Sequence, residues 1–153
     1  MYHWTLKAFQ DLTPMELYEL MRLRSEVFVV EQNCVFLDAD GKDPHCYHLL
    51  GWTTGPGAPL LGAYVRLVPA GISYPEPSIG RVVTAPSIRG KGAGRVLMVK
   101  ALEALYTLFG NQPIKIGAQQ HLSGFYASLG FVQSSDMYME DDIPHIEMIK
   151  NQP

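Results

Sequence analysis

The stretch Val82-Val83-Thr84-Ala85-Pro86-Ser87-Ile88-Arg89-Gly90-Lys91-Gly92-Ala93-Gly94-Arg95 constrains this chain more than any other. β-branched residues give way to a proline turn, then to three glycines at alternate positions, then to a helical pattern. Without side chains at Gly90, Gly92 and Gly94, a bulky anion can approach the backbone closely. A helix that starts there turns unsatisfied N–H groups and the positive end of its dipole toward that anion. Arg89, Lys91 and Arg95 add positive charge. The spacing is not the G-x-G-x-x-G of dinucleotide folds, because Arg95 stands where the third glycine belongs. Nor is it a Walker loop, since no Gly-Lys-Ser/Thr follows. Taken alone, the loop also fits a glycine-rich turn that binds nothing.

The flanking pattern is that of an α/β protein. Tyr2 to Phe9 alternates as a half-buried strand, with Tyr2, Trp4, Leu6 and Ala8 on one face. Thr13-Pro14-Met15-Glu16 is a capping box with proline at the first helical position. The helix it opens carries Leu17, Leu20, Met21 and Phe28 to about Val29. Strands are predicted at Tyr47–Thr53, Leu60–Val68 and Ser78–Thr84, with a Gly/Pro turn over 54–59 and a proline-rich loop over 69–77. After the glycine loop, Leu97, Ala101, Leu105 and Leu108 share one helical face, and Gly110-Asn111 ends the helix. A strand over Pro113–Ala118, a short helix over His121–Leu129 and strands over Phe131–Met139 and Ile143–Ile149 complete the pattern. Strands interleaved with helices imply a layered α/β sandwich around a mixed sheet. At 153 residues with no dividing linker, the chain reads as one domain over 1–153.

The formal net charge of −3, with both signs scattered, argues against a nucleic-acid binder, which would show a basic stripe. No apolar run approaches a membrane span, and the first residues lack the pattern of a secretory signal. Cys34 and Cys46 read as free thiols in a reducing compartment, so a cytoplasmic location is expected. His45-Cys46-Tyr47-His48 lacks a second ligand pair of zinc spacing, so no metal is expected. Asp38-Ala39-Asp40-Gly41-Lys42-Asp43 fails the calcium-loop pattern, with Lys42 at a ligand position and Leu49 where the bidentate glutamate belongs. It reads as a solvated loop or as an acidic rim for a cationic amine.

Arg89-x-x-Gly92-x-Gly94 after a strand resembles motif A of the GCN5-related N-acetyltransferases (GNAT). Gly124-Phe125-Tyr126-Ala127-Ser128-Leu129-Gly130-Phe131 resembles that family's F-Y-x-x-x-G-F segment. Leu23-Arg24-Ser25-Glu26-Val27-Phe28-Val29-Val30-Glu31-Gln32, Ser78-Ile79-Gly80-Arg81-Val82 and Ile143-Pro144-His145-Ile146-Glu147-Met148 look most like its ElaA-type branch. The resemblance covers nearly the whole chain. It implies a mostly antiparallel sheet, splayed at a central parallel strand pair and flanked by helices. It further implies acetyl-CoA as cosubstrate, held by Arg89, Gly90, Lys91, Gly92, Ala93, Gly94 and Arg95 at the pyrophosphate. The backbone of Val82, Val83 and Thr84 would run along the pantetheine, with Gln119 nearby. Thr84 and Ala93 depart from the larger aliphatics common at those positions, and Gln119 and Gln120 stand near a common asparagine.

Direct attack by an amine is the implied chemistry, with Tyr126 matching the family's general acid for the departing thiolate. A tyrosine between Phe125 and Leu129 also reads as core. For the general base, Glu31, Asp38, Asp141, Asp142 and His145 stay open. Arg24 and Arg81, charged within apolar elements, need partners; they bind an acceptor carboxylate or hold acidic residues in place. Arg24, Glu31, Arg81 and His145 are thus the acceptor-side candidates. The expected acceptor is a small-molecule amine, the alternatives being a protein N-terminus or lysine, or an acyl-CoA sensor without turnover. A homodimer is compatible with the resemblance.

Overall fold

The computed structural model describes residues 1–57 and 59–153; the turn expected over 54–59 includes Ala58, outside the described residues. Among the described residues, eight strands and three α-helices follow in chain order: β1 (Tyr2–Ala8), α1 (Pro14–Arg24), β2 (Tyr47–Thr53), β3 (Leu61–Val68), β4 (Ser78–Thr84), α2 (Ala93–Phe109), β5 (Ile114–Gln119), α3 (Ser123–Ala127), β6 (Val132–Gln133), β7 (Tyr138–Glu140) and β8 (Ile143–Lys150). Antiparallel pairing gives the order β1-β2-β3-β4 in one sheet and β5-β8-β6 in the other, with β7 also on β8. Among the described residues, no helix is long and apolar enough to cross a membrane.

β3 is buried along its whole length, because helices cover both of its faces. On one face, Leu97, Met98, Ala101 and Leu105 of α2 pack on Ala63, Val65, Leu67, Ile79, Ile114 and Ile116. On the other, Leu20 and Leu23 of α1 pack on Leu50, Leu61, Tyr64 and Val83. The capping box at Thr13 forms as expected, Thr13 Oγ1 accepting from the Glu16 N–H and Glu16 accepting from the Thr13 N–H. α1 then widens into a π-helical segment, Ser25–Glu31, in which the Gln32 N–H reaches the Val27 carbonyl. The expected helix to Val29 is therefore two geometries, not one.

The strand expected over Phe131–Met139 is also divided. Ser134 donates its N–H to the Glu147 carbonyl and Ser135 Oγ accepts from the Glu147 N–H, so the chain bends away between β6 and β7. On β1, Leu6 is 39% exposed, less covered than strict alternation predicts.

The loop containing Asp38, Asp40 and Asp43 overturns the expectation of a solvated acidic segment. Asp38 and Asp43 are buried, and the three carboxylates alternate with three arginines in a closed ring. Arg24 on α1 bonds Asp38 at 2.8 Å and Asp43 at 2.7 Å. Arg66 on β3 bonds Asp43 at 3.0 Å and Asp40 at 2.8 Å. Arg81 on β4 bonds Asp38 at 2.8 Å and Asp40 at 3.4 Å, closing the circuit. Burial alone would raise the Asp43 carboxyl, but hydrogen bonds and charge from Arg24 and Arg66 hold it below the usual carboxylate range. Asp40 is lowered in the same way, against its own burial, chiefly by Arg66. Behind the ring, His48 is fully buried: its Nε2–H donates to the Asp43 carbonyl at 3.0 Å and its Nδ1 accepts from Tyr64 O–H at 2.7 Å. Burial lowers its pKa, outweighing the hydrogen bond to the Asp43 carbonyl, which favours the charged ring.

Removing one member of such a ring strands a buried charge. Arg24→Ala is expected to destabilise the protein by about 3–5 kcal/mol, read as a shifted urea midpoint. The ring and His48 also set the response to acid. Asp40 and Asp43 ionise more readily folded than unfolded, so their contribution is complete above the ordinary value of 3.8 and lost as pH falls through the depressed folded values. His48 has its pKa depressed below 6.5, so its contribution also fades on the acid side. The urea midpoint is therefore expected to decline below about pH 6.5 and to fall steeply below about pH 4; a midpoint that rises on acidification contradicts this account.

Candidate active site

β4 and β5 begin side by side and then part. The Lys115 N–H donates to the Pro77 carbonyl at 3.1 Å, and beyond that link neither strand forms a ladder with the other. Among the described residues, β4 is paired only with β3 and β5 only with β8, so each offers one open backbone edge to the fork. A cavity of about 480 Å³ opens there, lined among others by Val82, Ala118, Gln119, Tyr126, Arg81 and His145.

Two local devices shape the fork. The pairing of β3 with β4 slips between Tyr64 and Arg66, and Arg81 takes a left-handed φ of 54° at this bulge. That conformation costs a non-glycine residue about 1–2 kcal/mol. Charge-assisted hydrogen bonds from Arg81 to the Asp38 carboxylate and carbonyl offset it. On β5, a Cβ at Gly117 would lie 2.8 Å from the Tyr74 hydroxyl and 3.1 Å from that of Tyr138. Glycine at this position lets both hydroxyls sit over the strand, on the cavity wall.

At one end of the fork the glycine loop leads into α2. Gly90 and Gly92 have φ of 84° and 75°, so their identity follows from backbone conformation. Gly94 differs. It lies inside α2, and a Cβ there would meet only Phe125, at an ordinary 3.9 Å. Among the described residues nothing requires glycine at 94, so the first helical turn is left with open space there. Gly92 is the N-cap and supplies no side-chain cap, so the first-turn N–H groups keep their donors free. Arg95 reaches Ser128 at 2.9 Å beside this turn. These features fit the pyrophosphate of an acyl-CoA: free donors, flanking cations and space where a Cβ would stand.

Arg89 has a partner already. Its two terminal nitrogens each meet a Glu31 oxygen at 2.7 Å, and one also donates to the Thr84 carbonyl at 3.2 Å. Glu31 thus stands at the loop and outside the cavity lining. Arg24 is likewise behind the cavity wall, fully buried within the ring. Of the acceptor-side candidates, Arg81 and His145 line the cavity.

On the neighbouring α3, Tyr126 lines the cavity and packs edge-on against Phe131 at 6.1 Å. Gly130, with φ of 99°, turns the chain so that the Phe131 N–H bonds the Tyr126 carbonyl at 3.1 Å and the Phe131 ring returns to the core. Burial pushes the Tyr126 hydroxyl up to about 12, so it keeps its proton through the physiological range. Val83 is buried against α1, leaving its backbone as its contribution to the fork. Gln119, at the end of β5, reaches Gln32 at 3.5 Å. Cys34 also lines the cavity, but burial, with Asp141 and Asp142 nearby, raises its pKa and keeps it a thiol.

Sequence reasoning missed Arg66, Tyr74, Tyr138 and Glu140. An arginine within Leu61-Gly62-Ala63-Tyr64-Val65-Arg66-Leu67-Val68 was a legible signal, by the argument applied to Arg24. Tyr74 and Tyr138 carried none, since only folding brings them together over Gly117.

Residues 46–152 match the family model described as an acetyltransferase (GNAT) domain. A UPF0039 protein of Synechocystis is 42% identical over 99% of this chain and 96% of its own. Protein ElaA of Escherichia coli is 39% identical over 98% and 97% respectively. Among solved structures, an acyl-CoA N-acyltransferase from Pseudomonas aeruginosa superimposes with a TM-score of 0.91 at 43% identity, covering 98% of this chain and 99% of that one. The structure of Escherichia coli ElaA gives 0.89 at 38%, covering 99% and 100%. The forked strands, the phosphate-ready helix start and these likenesses converge: the chain belongs to the GNAT family of acyl-CoA-dependent N-acyltransferases, in the branch that contains ElaA.

Proposed function

We propose that the protein transfers the acetyl group of acetyl-CoA directly to the amine of a small molecule. The observation that carries this reading is the fork itself, an opening between two open strand edges lined by Tyr126, with the start of α2 at Gly94 packed beside α3. The open edge of β4 at Val82–Thr84 offers backbone groups to an extended pantetheine chain, as a neighbouring strand would. A backbone N–H on that edge, beside the bulge at Arg81, stabilises the oxyanion as it develops. Lys91, Arg95 and the first-turn N–H groups of α2 hold the diphosphate. Two buried free thiols, Cys34 and Cys46, suit a cytoplasmic enzyme.

Tyr126 faces the departing sulfur in this reading. A thiol has a pKa of about 8.5, well below that of the Tyr126 hydroxyl. The O–H therefore hydrogen-bonds the developing thiolate, and the proton shed by the new amide nitrogen replaces the one the sulfur takes. Tyr126→Phe is expected to lower kcat by roughly 10²–10⁴-fold while calorimetry records unchanged coenzyme A affinity. Wild-type turnover by that variant removes Tyr126 from the mechanism.

The loop supplies two further tests. Gly94→Ala replaces a helical glycine where the protein leaves room, so stability should rise by about 1 kcal/mol. The same methyl group occupies the phosphate's space, and coenzyme A affinity should fall at least tenfold, about 1.4 kcal/mol. Glu31→Ala frees Arg89 for the diphosphate and should tighten coenzyme A binding by roughly 3–10-fold, within the range of a single exchanged ion pair. The reading as a whole is tested by thiol release from acetyl-CoA across a panel of small amines. Coenzyme A binding without release from any of them would instead indicate an acyl-CoA sensor, and acetylation of a co-purified protein a macromolecular acceptor.

A further inference from the structure

On the α1 side of the fork, opposite the face covered by α2, one group is placed to handle a proton. His145 on β8 is 8% exposed, lines the cavity and stands across from Gln119 at the end of β5. Its Nδ1 lies 2.7 Å from the Ile143 carbonyl. A carbonyl can only accept, so Nδ1 carries the hydrogen and the lone pair of the neutral ring sits on Nε2. Among the described residues, Nε2 has no hydrogen-bond partner; the Glu140 carboxylate stands 3.6 Å away. Tyr138 stacks on the ring at 5.9 Å, which with the Nδ1 bond fixes its plane.

The charges around it differ from those on the other wall. Arg66 and Arg81 are both committed to the aspartate ring. Glu140 and Asp141, in the turn between β7 and β8, line the cavity with no lysine or arginine partner among the described residues. Asp141 and Asp142 hold left-handed φ values of 50° and 63°, and this tight turn sets Glu140 and Asp141 against the cavity. A buried imidazole lone pair facing the cavity beside unneutralised carboxylates is complementary to an alkylammonium ion.

We infer that the corner formed by His145, Glu140 and Asp141 seats the acceptor's primary ammonium group, and that His145 Nε2 removes its proton. This rests on reading the cavity as an acyltransfer site. An ammonium is not a nucleophile until one N–H bond gives its electron pair back to nitrogen. That proton goes to Nε2, and Glu140 offsets the imidazolium charge. The freed pair forms the C–N bond at the thioester carbonyl carbon as the C–S bond breaks. A second N–H proton replaces the one Tyr126 lends to sulfur, and the imidazolium releases its proton through the open mouth. One proton thus leaves to solvent and one ends on the thiol.

The test separates seating from catalysis. With no acyl-CoA present, titration of putrescine should shift the NMR signals of the His145 ring, while butanediol, its neutral counterpart, should not. Glu140→Gln should weaken that shift, raise KM for the amine several-fold and lower kcat by less than His145→Gln does. His145→Gln, which keeps a polar side chain on β8, should lower kcat by at least about 100-fold with coenzyme A affinity unchanged. Free imidazole should restore part of the loss in His145→Ala. An unmoved His145 signal, or equal shifts with diol and diamine, overturns the ammonium seat. Wild-type kcat in His145→Gln overturns the base. If the ring responds to putrescine but wild-type protein releases no thiol with any amine, the acyltransfer reading fails and the proton-transfer step fails with it, leaving only an ammonium site.

Discussion

Three arginines and three aspartates holding one another out of water fix the geometry on which the fork depends. Arg24, Arg66 and Arg81 come from a helix and two strands, whereas all three carboxylates come from one short loop. Each charge meets two of the opposite sign, which makes the ring neutral and tolerable at low exposure. Its structural effect is to lash the loop across α1, β3 and β4. Because Arg81 sits at the bulge, the tie also decides how β4 leaves the plane of its neighbours. The left-handed residue that opens the fork is thus held by Asp38, a carboxylate that also anchors α1.

The fork divides labour between the two faces of the sheet. Tyr126, Phe131 and α2 belong to one packed cluster, and the phosphate-ready helix start lies at the end of that layer. His145 and Gly117 project from alternate positions on β8 and β5 to those that enter this cluster, and so face the opposite side. In the proposed reading, donor and acceptor therefore approach from different sides and meet where the strands separate. Neither approach requires the core to open.

What the sequence disclosed was what short range determines. The Thr13–Glu16 capping box, the apolar stripe of α2, its stop at Gly110 and the glycine loop are all set within a few residues. Gly130-Phe131 belongs with them, since the turn that pins Tyr126 is local. The aspartate ring was hidden because its partners lie between 14 and 43 residues apart in the chain. Asp38-Ala39-Asp40 looks like a solvated loop until three distant arginines converge on it. Glu31 was assigned to the acceptor side, whereas folding carries it to Arg89, 58 residues away. Tyr74 and Tyr138 became legible only once Gly117 was seen to leave room for their hydroxyls.

The pairing of Arg89 with Glu31 bears on how the protein responds to salt. Both side chains are exposed, at 39% and 43%, unlike the ring, and are open to screening by mobile ions. When a diphosphate takes the place of the Glu31 carboxylate, Arg89 exchanges one anion for another and the count of ion pairs at that residue stays level. Added salt weakens the pair that is broken along with the pair that is made. In the acyl-CoA reading proposed above, the contribution of Arg89 to cofactor binding is thereby buffered against ionic strength, and the remaining sensitivity falls on Lys91, Arg95 and the helix start.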